Sequence, residues 1–336
     1  MRRNLVLTLL TLAHFSVDGV CGAALAAYAV DELYLEPIVY YFGLYNLIAF
    51  GGQWCAGWIF DKSPRFLLPA FLLAAFFLGL GIVSVLPVGG WVTCLGIGNC
   101  LFHAAAGSIA LRRYENFAAP GIFVSSGAVG LGLGLGQFVP APAFFVLYLA
   151  AAIAVFRLIS AATEDNTFGQ MPEKISSVPI FAVLASAAAL LFCVVLRGFG
   201  GGGASDAFPM LLPCVFMLGK AAGGVLCDRV GFRRAILAIF LLGFFAVLGE
   251  GIFFALLLVF SFNMTMPLTL RLLHWCSPAH PGLMFGLAAG CLLPGAFYPG
   301  AVFVPAPAMI VLQFLCLCFA GYWLRRFGRM KKEGTP

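Results

Sequence analysis

The chain has 336 residues, of which 62% are hydrophobic and only 10% charged, with a mean hydropathy of +1.04. About 25% of a soluble domain is charged, so this composition excludes a water-soluble globular protein. The net charge of +6 sits mostly in short loops, with no stripe of bases interleaved with aromatics, which excludes a nucleic-acid-binding surface.

The apolar runs are continuous and about 20 residues long, the length a helix needs to cross ~30 Å of hydrocarbon, whereas a membrane barrel would alternate. Segment 1 covers residues 4–30. Its start, Arg2-Arg3 before an apolar run with Ala27-Tyr28-Ala29 downstream, imitates a secretory signal. The run is too long for one and is interrupted by His14 and Asp18, so it reads as a first membrane helix. Segments 2 to 6 follow at residues 37–60, 66–85, 91–111, 118–138 and 143–159. A polar stretch, 160–177, reads as a cytoplasmic linker too short to be a soluble domain. Segments 7 and 8 cover 178–199 and 208–227. Segments 9 and 10 share 235–273, divided at Gly249-Glu250-Gly251. Segments 11 and 12 cover 282–297 and 302–324, ahead of a basic tail.

Positive residues favour the cytoplasmic side of membrane helices. With the N-terminus inside, seventeen of the nineteen Lys and Arg fall at inner ends or inner loops. The exceptions, Arg197 and Lys220, lie inside segments. The outer loops hold acids instead: Asp31, Glu32, Glu36, Asp206 and Glu250. The expected fold is all-α, with twelve transmembrane helices in two pseudo-symmetric bundles (1–159 and 178–336) and both termini cytoplasmic.

The duplication has a local signature. Gly224 is followed by Asp228, Arg229, Gly231, Arg233 and Arg234 after segment 8. A degenerate copy, Gly57 followed by Asp61, Lys62 and Arg65, follows segment 2, with Pro64 where the later copy has its inner glycine. Twelve helices in two sixes with this hairpin resemble the major facilitator superfamily over the whole chain. The resemblance implies that the acids and arginines form an inner gate, and the glycines permit close helix approach.

Four stretches resemble, within it, the fosmidomycin-resistance group of drug exporters. They are His14-Phe15-Ser16-Val17-Asp18, Gln53 ahead of Gly57 and Asp61, Gly98-Asn99-Cys100-Leu101-Phe102-His103, and Val195-Leu196-Arg197-Gly198-Phe199. Where that group has Pro-Glu after the Phe-His, this chain has Ala104-Ala105. Gly127, Gly130, Gly132, Gly134 and Gly136 of segment 5 resemble the glycine-rich fifth helix of antiporters, without its Gly-Pro pair.

Ionisable groups inside a span cost roughly 2.5–3.5 kcal/mol each and mark pathways. His14 and Asp18 are four apart, on one helix face. His103 falls at a similar depth in segment 4. The three are expected to form a protonatable cluster; the alternative is a static hydrogen-bonded pair fixing two helices. Arg197 is a candidate for binding an anionic group or locking an outer gate, against a snorkelling role. Lys220 either lines a cavity or snorkels inward. Asn46, Gln53, Asn99, Gln137 and Asn263 are further cavity candidates, against plain packing. The eleven cysteines show no ligand spacing and read as apolar packing residues. No nucleotide loop, metal-ligand cluster or catalytic triad appears, so no cofactor or metal is expected.

The expected function is secondary transport across the inner (plasma) membrane. The expected protein is monomeric and exchanges protons for a small amphiphilic or anionic compound moved outward. A symporter or facilitator for a small organic anion is the first alternative. A membrane-embedded enzyme or a non-transporting receptor is the second; the first needs a catalytic constellation and the second a soluble signalling segment.

Overall fold

The computed structural model describes residues 2–31, 35–83, 85–160, 179–199, 210–297 and 304–326. The linker beyond Ser160, Glu32, Asp206 and the tail beyond Arg326 lie outside the described residues. All regular structure among the described residues is helical.

The chain begins with α1 (Arg2–Asp31), α2 (Leu35–Gly51) and α3 (Gln53–Lys62). A 3-10 turn over Pro64–Phe66 leads into α4 (Leu67–Val83), then α5 (Val88–Arg113), α6 (Ala118–Leu135) and α7 (Ala141–Ser160). The second part comprises α8 (Ile180–Phe199), α9 (Leu211–Val230), α10 (Phe232–Leu248) and α11 (Ile252–Cys276). It closes with α12 (Pro281–Gly290), α13 (Leu293–Phe297) and α14 (Ala306–Arg326). Among the described residues, nine helical spans are long and apolar enough to cross a membrane. The division expected at Gly249–Gly251 is the α10–α11 turn, with Gly251 at φ 89°, a conformation that suits glycine.

Segments 2 and 11 differ from their expected form. Neither is one continuous helix: segment 2 breaks at Gly51-Gly52 and segment 11 at Cys291-Leu292. The rods stay joined, because Gly52 N still donates to Ile48 O (3.1 Å) and Ala56 N to Gly52 O (3.2 Å). At the other break Ala296 N donates to Leu292 O (3.2 Å). The breaks face each other, with the Leu293 side chain standing over Gly51. Paired glycines give such a kink an identifiable cause.

By packing, the helices sort into α1–α7 and α8–α14, joined mainly through α6 against α9 and α3 against α12. Glycine sets these approaches. A Cβ on Gly57 would meet the backbone of Gly282, and one on Gly224 the backbone of Phe117 and Ala118. These are the two glycines of the duplicated signature, and both press backbone on backbone across the join, where dispersion and close packing must replace the hydrophobic drive. Gly130 and Gly134 do the same between α6 and α1, over the backbones of Phe15 and Gly19. Three polar side chains lock that pair further: Ser126 donates to Thr11 O (2.6 Å), Gln137 to Ala23 O (2.8 Å), and His14 Nδ1 contacts Phe123 O (2.7 Å). Of the cysteines, Cys94, Cys100 and Cys193 are buried and Cys55 is exposed; all eleven are free thiols.

Candidate functional site

A cavity of about 750 Å³ lies between the two groups of helices. Most of its wall is apolar, including Phe50, Phe216, Met266 and Phe285. Its ionisable residues divide by side. His14 and Asp18 of α1 and His103 of α5 come from the first group; Arg197 of α8 and Lys220 of α9 come from the second.

His14 and Asp18 are four apart on mid-α1, as helical spacing requires, and His14 Nε2 lies 3.2 Å from Asp18 Oδ2. His103 reaches the other carboxylate oxygen, Nε2 to Oδ1 3.5 Å. The two rings meet edge to face at 4.5 Å between centroids. Asn99, one turn before His103, donates Nδ2 to Asp18 Oδ1 at 3.2 Å. Each ring is pinned from behind: His14 Nδ1 by Phe123 O at 2.7 Å, His103 Nδ1 by Asn99 O at 2.9 Å. A backbone carbonyl only accepts, so each Nδ1 carries the hydrogen. Each Nε2 therefore faces a carboxylate oxygen, and those contacts are attractive only with a proton between nitrogen and oxygen. The helix behind makes the room, since a Cβ on Gly127 would fall on Asp18 Oδ2 and His14 Nε2.

On the opposite wall Arg197 is 7% exposed and donates Nη1 to Thr269 Oγ1 at 3.2 Å, a neighbour within its own group of helices. The side chain is thus buried beside the cavity and bonded within α8–α14. Lys220 also lines the cavity. Gln53 lines the wall with Nε2 bound to Ala49 O (2.7 Å), while its buried Oε1 has no protein partner. Asn46, Asn99, Gln137 and Asn263 do not line it. Asn99 supports the cluster. Gln137 sits at positive φ (56°) beyond α6, and Asn263 Nδ2 bonds Val259 O at 2.8 Å.

The lining positions on α6 (Val124 to Leu135), α9 (Leu212 to Lys220) and α12 (Phe285 to Ala289) all lie away from the end carrying Asp61 and Asp228. That basic end is closed by two clasps. Asp61 accepts from Gly282 N (3.0 Å) and Leu283 N (2.8 Å) at the start of α12, and from Arg112 Nη2 (2.7 Å). Asp228 accepts from Phe117 N (2.9 Å) and Ala118 N (2.8 Å) at the start of α6. Neither helix is capped by its own N-cap side chain, so an acid from the other group meets the unpaired amides and the positive end of the dipole. Arg271 of α11 then reaches across to the carbonyls of Leu111, Tyr114 and Asn116.

Both acids of the duplicated signature thus contact the other group of helices. Lys62, Arg229, Arg233 and Arg234 are exposed, and Arg65 lies over the Phe66 ring at 5.0 Å; Gly231, at φ 84°, turns the chain between α9 and α10. Arg112 and Arg271 make the contacts described above; in the sequence they read only as inner-end charges. Their matching places at the ends of α5 and α11 were the available signal. The three residues expected to cluster as proton carriers also form a set of metal donors, which the sequence did not mark. No metal-ligand spacing exists in the sequence, yet one donor atom from each of His14, Asp18 and His103 lies within 4.8 Å of the others.

No family model and no curated protein matches the chain. Solved structures do. A bacterial homologue of the iron transporter ferroportin, in its outward-facing state, aligns with TM-score 0.56 at 13% identity, covering 97% of this chain and 100% of that one. FucP, a major facilitator superfamily transporter in its outward conformation, aligns with TM-score 0.54 at 12% identity over 96% and 98%. A variant of FucP, the Escherichia coli fucose:proton symporter, gives 0.54 at 14% over 96% and 98%. The chain is a multi-pass membrane protein with the fold of major facilitator superfamily transporters.

Proposed function

We propose that the protein is a secondary transporter that moves a small amphiphilic anion out of the cell in exchange for protons. One observation carries the reading: a charged cavity between two groups of helices, closed at one end by carboxylates reaching across to the other group's helix starts. That is the arrangement alternating access needs, with a site between two halves that rock against each other. Twelve spans complete the reading: the nine long ones, α10, and the jointed rods α2–α3 and α12–α13. The bundles are residues 1–159 and 178–336, joined by a cytoplasmic linker over 160–177. The basic end faces the cytoplasm of the inner membrane, with both termini, so the cavity faces outward, and the protein works as a monomer. The fucose:proton symporter among its structural neighbours fits coupling to protons.

Roles follow from placement. Arg197 and Lys220 hold the anionic group, and the phenylalanines hold the apolar body. Asp18, with His14 and His103, holds the exchanged proton on the facing wall. The closed clasps of Asp61 and Asp228 hold the outward-facing state; opening them exposes the cavity to the cytoplasm. The four stretches that resemble the fosmidomycin-resistance group favour efflux over uptake.

The test is flux in proteoliposomes with amphiphilic drugs and small anions, comparing wild type with Asp18→Asn. Substrate-linked proton movement that Asp18→Asn abolishes is the expected result. Solute flux without proton movement, unchanged by Asp18→Asn, would leave a facilitator and overturn the coupling.

A further inference from the structure

We propose that His14, Asp18 and His103, joined by Asn99, form a binding site for a divalent first-row transition metal ion. Two imidazole nitrogens and one carboxylate are the donor set that zinc and iron(II) sites use, with positions left open. The inference stands on the geometry of these four residues and not on what the protein transports.

The spacing fits one ion. Ligand atoms each about 2.1 Å from a metal lie about 3.0 Å apart at a right angle and about 3.4 Å apart in a tetrahedron. His14 Nε2 and His103 Nε2 lie 3.2 Å and 3.5 Å from the two Asp18 oxygens. The remaining separation is within 4.8 Å, against about 4.2 Å for ligands on opposite sides of an ion. Closing it takes a movement well under an ångström from each ring.

The rings are also held as ligands are held. Metal-binding histidines donate their other N–H to a carbonyl or carboxylate, which fixes tautomer and direction. Both do so here, His14 to Phe123 O and His103 to Asn99 O, and both Nε2 atoms converge on Asp18. Asn99 supplies an independent observation. It is 1% exposed, and its Oδ1 is buried without a partner. Turning the amide over exchanges Nδ2, now 3.2 Å from Asp18 Oδ1, for that oxygen, giving a fourth ligand and satisfying an acceptor that is costly to leave alone.

His14, Asp18 and His103 line the cavity, so an ion can enter and its open positions point into the same space. The charged groups facing the site are Lys220 and Arg197. A divalent ion with a single carboxylate leaves positive charge there, which Lys220 and Arg197 add to; removing the Lys220 charge therefore tightens binding. The electron pairs that would bind metal are those that would bind protons, so the two occupants exclude each other.

The measurement is a titration of the purified full-length protein in detergent with cobalt(II) chloride, read by the d–d absorption bands and by calorimetry. One equivalent with nitrogen–oxygen bands is expected. His103→Ala and Asp18→Asn should each weaken it by about 100-fold or more. The double variant His274→Ala/His280→Ala, which removes the other two of the four histidines, should leave it unchanged. Asn99→Asp keeps the side-chain shape, adds a carboxylate and should tighten binding about tenfold, as ligand charge does. Lys220→Met should tighten it by several-fold. Absence of binding, thiolate charge-transfer bands from the cysteines, or binding unaffected by His103→Ala and tightened by neither Asn99→Asp nor Lys220→Met overturns the proposal. Because no transport is measured, failure of the proton-exchange reading and failure of the metal site are read separately.

Discussion

The two ends of the cavity treat the duplicated sequence in opposite ways. At the basic end each half contributes one acid, and each acid meets a helix start in the other half: Asp61 at α12, Asp228 at α6. Behind each acid a glycine, Gly57 or Gly224, lets the backbones touch. In the cavity nothing is repeated. The acid and two histidines come from α1 and α5, and the two cations from α8 and α9. Under the proposed alternating access the repeated part is the closure, released in both halves together. The unrepeated part carries charges of opposite sign on opposite walls.

Even the clasps are not equal, and this sharpens the comparison. The Asp61 side chain is fully buried and pairs with Arg112, whereas Asp228 is exposed and its bonds go to backbone amides. The largest effect is therefore expected for Asp61→Asn. Leaving Arg112 without its buried partner should cost the closed state about 3–5 kcal/mol. Spin labels on the exposed positions Lys62 and Arg229, after Cys55→Ser, should then report a broadened and lengthened distance across the basic end. An unchanged distribution would remove Asp61 from the gate. Gly127→Ala comes next. Its methyl group would strike the His14–Asp18 pair, and overpacking of this kind costs about 1–3 kcal/mol. Thermal unfolding should fall by that measure, and proton-linked flux should fall with it; a variant with wild-type flux would show that the cluster tolerates displacement. Asp228→Ala, which removes a helix cap acting in trans, should cost about 0.5–2 kcal/mol and shift the same label distances less than Asp61→Asn does. Equal shifts would mean that the buried ion pair adds nothing. Smallest is Arg65→Gln, whose only contact described above is with the Phe66 ring; about 0.5–1 kcal/mol bounds the change in stability.

The parts of the fold legible in the sequence were those written in side chains. Uninterrupted apolar runs marked the helices, and Gly249-Glu250-Gly251 marked the turn before α11 because a helix interior disfavours that trio. His14 and Asp18 stood out because charge in an apolar helix needs a reason, and their spacing put them on one face. His103 joined them through depth alone. What stayed unread was written in backbone. Asp61 and Asp228 grip amide groups, which every residue but proline carries, so no letter at 282 or 117 announces them. In the sequence Arg271 reads as an inner-end charge, yet it is 1% exposed and directs its donors to three carbonyls at the α5–α6 turn. The breaks in segments 2 and 11 were hidden for a related reason. Glycine is frequent in membrane helices, and Gly51-Gly52 looks no different from the glycines of α6 that merely allow contact.

Gly127 has a further consequence. A carboxylate and an imidazole occupy the volume its side chain would have filled. Half of the site is thus recorded as chemistry, in His14 and Asp18, and half as a vacancy on another helix. A chain related to this one that carries the histidine and aspartate but fills the vacancy with any larger residue would keep the letters and lose the arrangement. Sorting such chains by the glycine, as well as by the charges, would separate those able to assemble this cluster from those that only spell it.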